Sequence, residues 1–217
     1  NVDPSFENNL AIILASAYGH LELVELLLSE PDINPGDNQN FAIMVASAAG
    51  HTEVVKLLLS SPNVNPADNQ NFAIINAAEA GHLEVVKLLL NNPNVDPTDQ
   101  ENEAFLRAIY YGHLEVVKVL LQSPRIDPAF DNNFAIIYSV ENNQTEIVKL
   151  LLQDERISPC VDDNDAIGCA SEYGYLEIVK LLMEDWRVDP SDDDNYALDA
   201  ALENEQLDVI PLLLGDV

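Results

Sequence analysis

Apolar residues recur along the chain in two alternating short patterns. In residues 63–93, Ala73, Ile74 and Ala77 are related by three and four positions and share one face of a short helix. Gly81 then offers the positive φ that ends a helix. Beyond it, Val86, Leu89 and Leu90 form a second apolar face. Glu84 early and Lys87 late suit the dipole of that second helix. Residues 66–71, Pro-Ala-Asp-Asn-Gln-Asn, are turn chemistry, and Asn71 stands where an N-cap belongs. The pattern predicts a turn, a first helix over 72–80, a tight corner, a second helix over 83–91 and an exit at Pro93. Helices this short do not stand alone in water, so they must stack.

The same pattern returns at a fixed interval. Pro occupies 4, 35, 66, 97, 128, 159 and 190, a spacing of 31 residues. Asn recurs at 9, 40, 71, 102, 133, 164 and 195, and Leu at 27, 58, 89, 120, 151, 182 and 213. The repeats are 1–31, 32–62, 63–93, 94–124, 125–155, 156–186 and 187–217, expected to form one repeat domain over 1–217. A period of this size means one supersecondary unit stacked on copies of itself, an architecture used for binding surfaces.

The motif Gly-His-Leu-Glu-Val-Val-Lys-Leu-Leu-Leu (81–90), varied slightly at 50–59 and 112–121, and the turn Pro-Asn-Val-Asn (62–65) resemble the ankyrin repeat family. Phe-Ala-Ile (72–74) stands where that family has Thr-Pro-Leu. The resemblance covers all seven repeats and implies an all-α helix-turn-helix solenoid. Its period of 31 rather than 33 implies shortened hairpins between repeats. The missing Thr-Pro-Leu-His bonds need a substitute, for which the recurring Asn is the candidate. Asn143 and Glu205 replace Gly at the corner, and Gln144 and Gln206 replace His, so Glu205 is expected to carry strain. Pro211 is expected to kink the last second helix, and Trp186 to pack between repeats. Asn34 and Asn65 occupy the turn position that can be hydroxylated in the family. Neither terminal repeat reads as a polar cap. The chain starts and stops on repeat boundaries without an initiator Met, which fits a fragment of a longer array or an engineered or generated one. The irregular Cys160, Trp186 and Pro211 argue against a pure consensus design.

Charge narrows the partner. The net charge is −29, and by repeat it runs −5, −2, −2, −3, −4, −5 and −8. Such a surface disfavours nucleic-acid backbones and anionic membranes, and it permits a basic protein with salt-sensitive attraction. It serves equally to keep an apolar-cored array in solution. No apolar run is long enough to span a membrane. Two cysteines, Cys160 and Cys169, make no disulfide framework, so a reducing, cytoplasmic setting and a monomeric chain are expected.

Enzyme signatures are absent from the sequence, and neither a cofactor nor a catalytic residue is assigned. His20, His51, His82 and His113 share one repeat position and so stand about 10 Å apart, too far to ligate one ion. Asp162-Asp163 and Asp192-Asp193-Asp194 lack the spaced ligands and Gly of a calcium loop. The face opposite the first-helix core varies instead. One position reads Leu14, Val45, Asn76, Arg107, Tyr138, Cys169, Ala200; another Ala17, Ala48, Glu79, Tyr110, Glu141, Glu172, Glu203; a third Tyr18, Ala49, Ala80, Tyr111, Asn142, Tyr173, Asn204. In the family, this helix and the turn tips line the concave protein-binding surface. By that resemblance Phe6, Phe130 and Val161 are tip positions where other repeats have Asp. Tyr and Arg dominate interaction hot spots. The candidate protein-binding residues are therefore Arg107, Tyr110, Tyr111, Phe130, Tyr138, Glu141, Val161 and Tyr173. Two further readings stand beside this one: an acidic decoy that binds basic proteins by charge, and a designed array with no partner.

Overall fold

The computed structural model describes residues 6–215, without the side chains of 6–8, 161–163 and 192–194. Among the described residues every regular element is a helix. The chain divides into two compact units, one up to Ile126 and one from Asp127.

Unit 1 contains α1 (Phe6–Ala17), α2 (Leu21–Leu28), α3 (Asp37–Ala48), α4 (Thr52–Leu59), α5 (Asp68–Glu79), α6 (Leu83–Leu90), α7 (Asp99–Tyr110) and α8 (Leu114–Leu121). The first helices α1, α3, α5 and α7 pack in succession, and α2, α4, α6 and α8 form a second layer behind them. Unit 2 contains α9 (Phe130–Glu141), α10 (Thr145–Leu152), α11 (Val161–Glu172), α12 (Leu176–Met183), α13 (Asp192–Glu203) and α14 (Ile210–Leu213). Its first helices α9, α11 and α13 stack likewise, with α10 against α12.

The helix faces follow the apolar spacing. Ala73, Ile74 and Ala77 are fully buried, and their small side chains let neighbouring first helices approach. In the second helix Val85, Val86 and Leu89 are buried, while Leu90 is only half-buried and lines a groove of about 450 Å3 with Lys87 and Val119. Each buried Val or Leu contributes about 1.5–3 kcal/mol, which stacking supplies and the isolated helix lacks.

The entry to each first helix departs from expectation. Asn38, Gln39 and Asn40 all have positive φ, and the same left-handed run occurs at 69–71, 100–102 and 131–133. Right-handed helix begins only at the next residue, so the turn segment and the helix read as one element. A side chain in this region costs roughly 1–2 kcal/mol, least for Asn. Asn71 is not an N-cap. Its Oδ1 accepts from the backbone N–H of Asp96 at 3.0 Å, and its Nδ2 donates to Asp99 at 2.5 Å. Asn40 makes the same two bonds, to Asn65 N–H at 2.9 Å and to Asp68 at 2.6 Å. Asn133 accepts from Ser158 N–H at 2.7 Å in unit 2. At 40 and 71 the buried Asn thus fastens its repeat to the next, offsetting the strain of the turn that presents it.

A second fastening lies at the corner. His51, His82 and His113 each donate Nε2 to a carbonyl of the preceding repeat, those of Ala17, Ala48 and Glu79, at 2.8–3.1 Å. In the last repeat Gln206 reaches Glu172 O at 2.8 Å in the same way. Glu205 does adopt the positive φ of the corner, at 56°.

Two expectations are corrected. Pro211 does not kink a long helix: α14 starts at Ile210 with Pro211 in its first turn, where the missing N–H costs nothing. Trp186 does not pack between repeats but is 90 % exposed. The neighbouring Arg187 takes the inter-repeat role, donating to Ile157 O at 2.7 Å and Leu152 O at 3.0 Å while paired with Asp185. Trp186→Ala should therefore change stability by less than about 0.5 kcal/mol in urea unfolding.

Candidate functional site

The last turn of each first helix presents its variable face away from the buried Ala and Ile. On α7, Arg107 donates Nε to Glu103 at 2.6 Å and Nη1 to Glu79 of the preceding repeat at 3.2 Å. The Glu103 bond, with the charges of Glu79 and Tyr111, raises the guanidinium pKa further. Tyr110 and Tyr111 are 44 % and 47 % exposed and meet edge to face at 4.9 Å. Tyr111 also stacks over His113 at 6.3 Å. Arg107, Tyr110 and Tyr111 thus form one cluster within unit 1.

Unit 2 carries the other candidates. Tyr138 is half-buried and stacks on Phe134 at 5.0 Å. Tyr173, 53 % exposed, stacks on Tyr175 at 5.5 Å. Glu141 is exposed. Phe130, 42 % exposed, opens α9 in the register of Asp37, Asp68 and Asp99, the carboxylates that receive the Asn amide of the preceding repeat. The backbone of Val161 opens α11, but its side chain lies outside those described, as do those of Phe6 and of the aspartates at 162, 163 and 192–194.

Sequence reading missed the surroundings of Cys169. Burial first, and then the charges of Glu141, Glu172 and Asp165, push its thiol up to about 12. A thiol held protonated in this way is no nucleophile at neutral pH. Glu172, followed by Cys169 and burial, pushes the Tyr173 phenol up as well. The signal was present in the repeat comparison, because Glu141 and Glu172 share one repeat position. Among the described residues no group of three or more His, Cys, Asp or Glu is arranged to hold a metal ion. No helix there is long and apolar enough to cross a membrane. The turn residues Asn34 and Asn65 donate their amides to Asp37 and Asp68.

Comparison with known proteins places the architecture. The profile described as ankyrin repeats (3 copies) matches residues 1–68, 61–132, 105–194 and 136–217. No curated protein matches the sequence significantly. Among solved structures, the ankyrin repeat domain of Bcl-3, described as a unique member of the IkappaB protein family, is similar at TM-score 0.71 and 23 % identity, covering 92 % of this chain and 96 % of that one. The human ASB11 ankyrin repeat domain gives 0.68 and 17 % over 89 % and 96 %. An ankyrin repeat domain from Acinetobacter baumannii AYE gives 0.65 and 24 % over 80 % and 96 %. Stacked helix pairs, His-held corners and a family profile that spans every repeat together lead to one assignment: the chain belongs to the ankyrin repeat family.

Proposed function

We propose that the chain is a protein-interaction module that engages a partner through the variable face of its first helices. Ankyrin repeat domains mediate protein–protein interaction in general. The observation that carries the reading here is the exposure of Tyr110, Tyr111 and Tyr173 on that face, while the opposite face of the same helices is buried. Rigid, half-exposed aromatics beside charged groups are what a hot spot requires. The two unpaired thiols are in keeping with a reducing compartment.

The test is affinity capture at low and high salt, with a variant carrying Arg107→Ala, Tyr111→Ala and Tyr138→Ala together. A discrete partner should survive high salt and be lost in the variant, whose helicity and melting stay nearly unchanged. Arg107 is exposed enough that its ion pairs contribute at most about 1 kcal/mol. Collapse of folding would instead make these residues core. The net charge of −29 favours a second reading, capture of basic proteins by charge alone. In that case salt would strip every captured protein.

A further inference from the structure

We propose that the chain binds a second copy of itself end to end, the last repeat of one copy stacking on the first repeat of the other. The joint uses the two halves of the inter-repeat interface that the array leaves uncovered. It is separate from the variable face of the first helices.

Repeat 1 exposes what every later repeat buries. Leu23 on α2 is 43 % exposed, whereas Val54, Val85, Val116, Ile147, Ile178 and Val209 in its register are buried. Ala11 is exposed, whereas the alanine in its register is buried in all six later repeats. His20 stands in the register of His51, His82 and His113, which each donate Nε2 to a carbonyl of the preceding repeat. Among the described residues nothing is stacked in front of repeat 1 to receive it.

Repeat 7 is uncovered on its other side. Leu202 on α13 is 51 % exposed, whereas Ser16, Ser47, Ala78, Ile109, Val140 and Ser171 in its register are buried. Asn195 is exposed, whereas the recurring Asn is buried in all six preceding repeats. Ile210 and Leu213 are partly exposed where the earlier Val and Leu are buried.

The two surfaces complement each other by the rule that builds the array, in which the trailing side of one repeat covers the leading side of the next. Solenoids keep their ends apart with polar outer faces, and here the ends present Leu and Ala. A contact between two different surfaces of one chain is heterologous, so each copy offers one head and one tail. Stacked in the native register, Glu203 O of one copy takes the place of Ala17 O, Ala48 O and Glu79 O and meets His20 of the other. Repeats 1 and 7 carry −5 and −8, so charge opposes the joint and apolar burial must hold it. The monomer expected from the sequence is then the dilute, low-salt form.

Sedimentation equilibrium of the full chain under reducing conditions, from about 10 to 500 μM, tests the joint. The average mass should rise above that of one chain with concentration. Raising salt from about 0.05 to 0.5 M should strengthen association by screening the repulsion. Leu23→Gln and Leu202→Gln should each weaken it about tenfold. Mixed together, the two variants should pair, because one keeps its tail and the other its head. Trp186→Gln, which removes an exposed apolar group in the turn after α12, should change nothing. Melting curves show whether the variants fold. His20→Ala carries the head if Leu23→Gln does not, and Leu207→Gln, at another exposed position of repeat 7, carries the tail if Leu202→Gln does not. A single-chain mass at every concentration would overturn the proposal. Association that salt weakens, that Trp186→Gln abolishes, or that the variant mixture fails to restore would overturn it too. Loss in only one of the two Leu variants would mean that one face pairs with itself, and the head-to-tail joint would be wrong.

Discussion

Asn71→Ala is expected to destabilise the protein by about 3–6 kcal/mol in urea unfolding. The substitution removes the acceptor for Asp96 N–H and the donor to the Asp99 carboxylate. A hydrogen bond to a charged group contributes about 1.5–3 kcal/mol, and a neutral one about 0.5–1.5. Ala would also occupy φ 58° with a β-carbon and without the local bonding that lets Asn tolerate it, at roughly 1–2 kcal/mol. Asn71→Gly separates the contributions. Gly adopts the left-handed turn freely but makes neither bond, so its loss should be smaller than that of Ala by about 1 kcal/mol. If both variants unfold with the wild-type midpoint, the inter-repeat role of this Asn is wrong. If Gly and Ala cost the same, the conformational part of the argument fails.

Gly81→Ala should be comparably severe, at about 2–5 kcal/mol. Gly81 has φ +75°, and a β-carbon there would lie 2.6 Å from Nδ1 and 2.7 Å from Cε1 of His113. The backbone contributes roughly 1–2 kcal/mol and the steric overlap about 1–3. The ring cannot simply swing aside, because its Nε2 is bonded to Glu79 O at 2.8 Å. The double variant Gly81→Ala with His113→Ala isolates the overlap. The two changes should combine to less than their separate losses by about 1–3 kcal/mol. Strict additivity would show that the ring and the glycine do not restrain each other.

The second helix of the third repeat was legible in the sequence almost to the residue: 83–91 was expected and Leu83–Leu90 is found. A helical apolar period between Gly81 and Pro93 allows few other outcomes. The first helix was legible as a face but not at its start. Asn-Gln-Asn announces a turn without announcing its hand, and Asn71 looks locally like a cap. Its partners lie 25 and 28 residues away, and no local pattern reveals them. Trp186 failed for a related reason, since only the folded turn shows that Arg187 points inward and the indole out. For the candidate surface, comparing repeats position by position isolated the variable face and its tyrosines. It set Glu141 and Glu172 at one repeat position but could not show that the Glu141 charge bears on Cys169, because that depends on which part of one repeat lies against the next.

The Asn fastening also bears on inheritance. In the blocks 32–62 and 63–93, Asn40 and Asn71 are donors and Asp37 and Asp68 acceptors, each bond completed by a neighbouring block. A gene rearrangement that copies or deletes a whole block of this kind leaves every remaining junction with both halves of its bond. A single-residue deletion between Asn71 and Asp99 does not, because it shifts the carboxylate out of register with the amide. This stretch can therefore change length by whole repeats far more readily than it can drift by single residues.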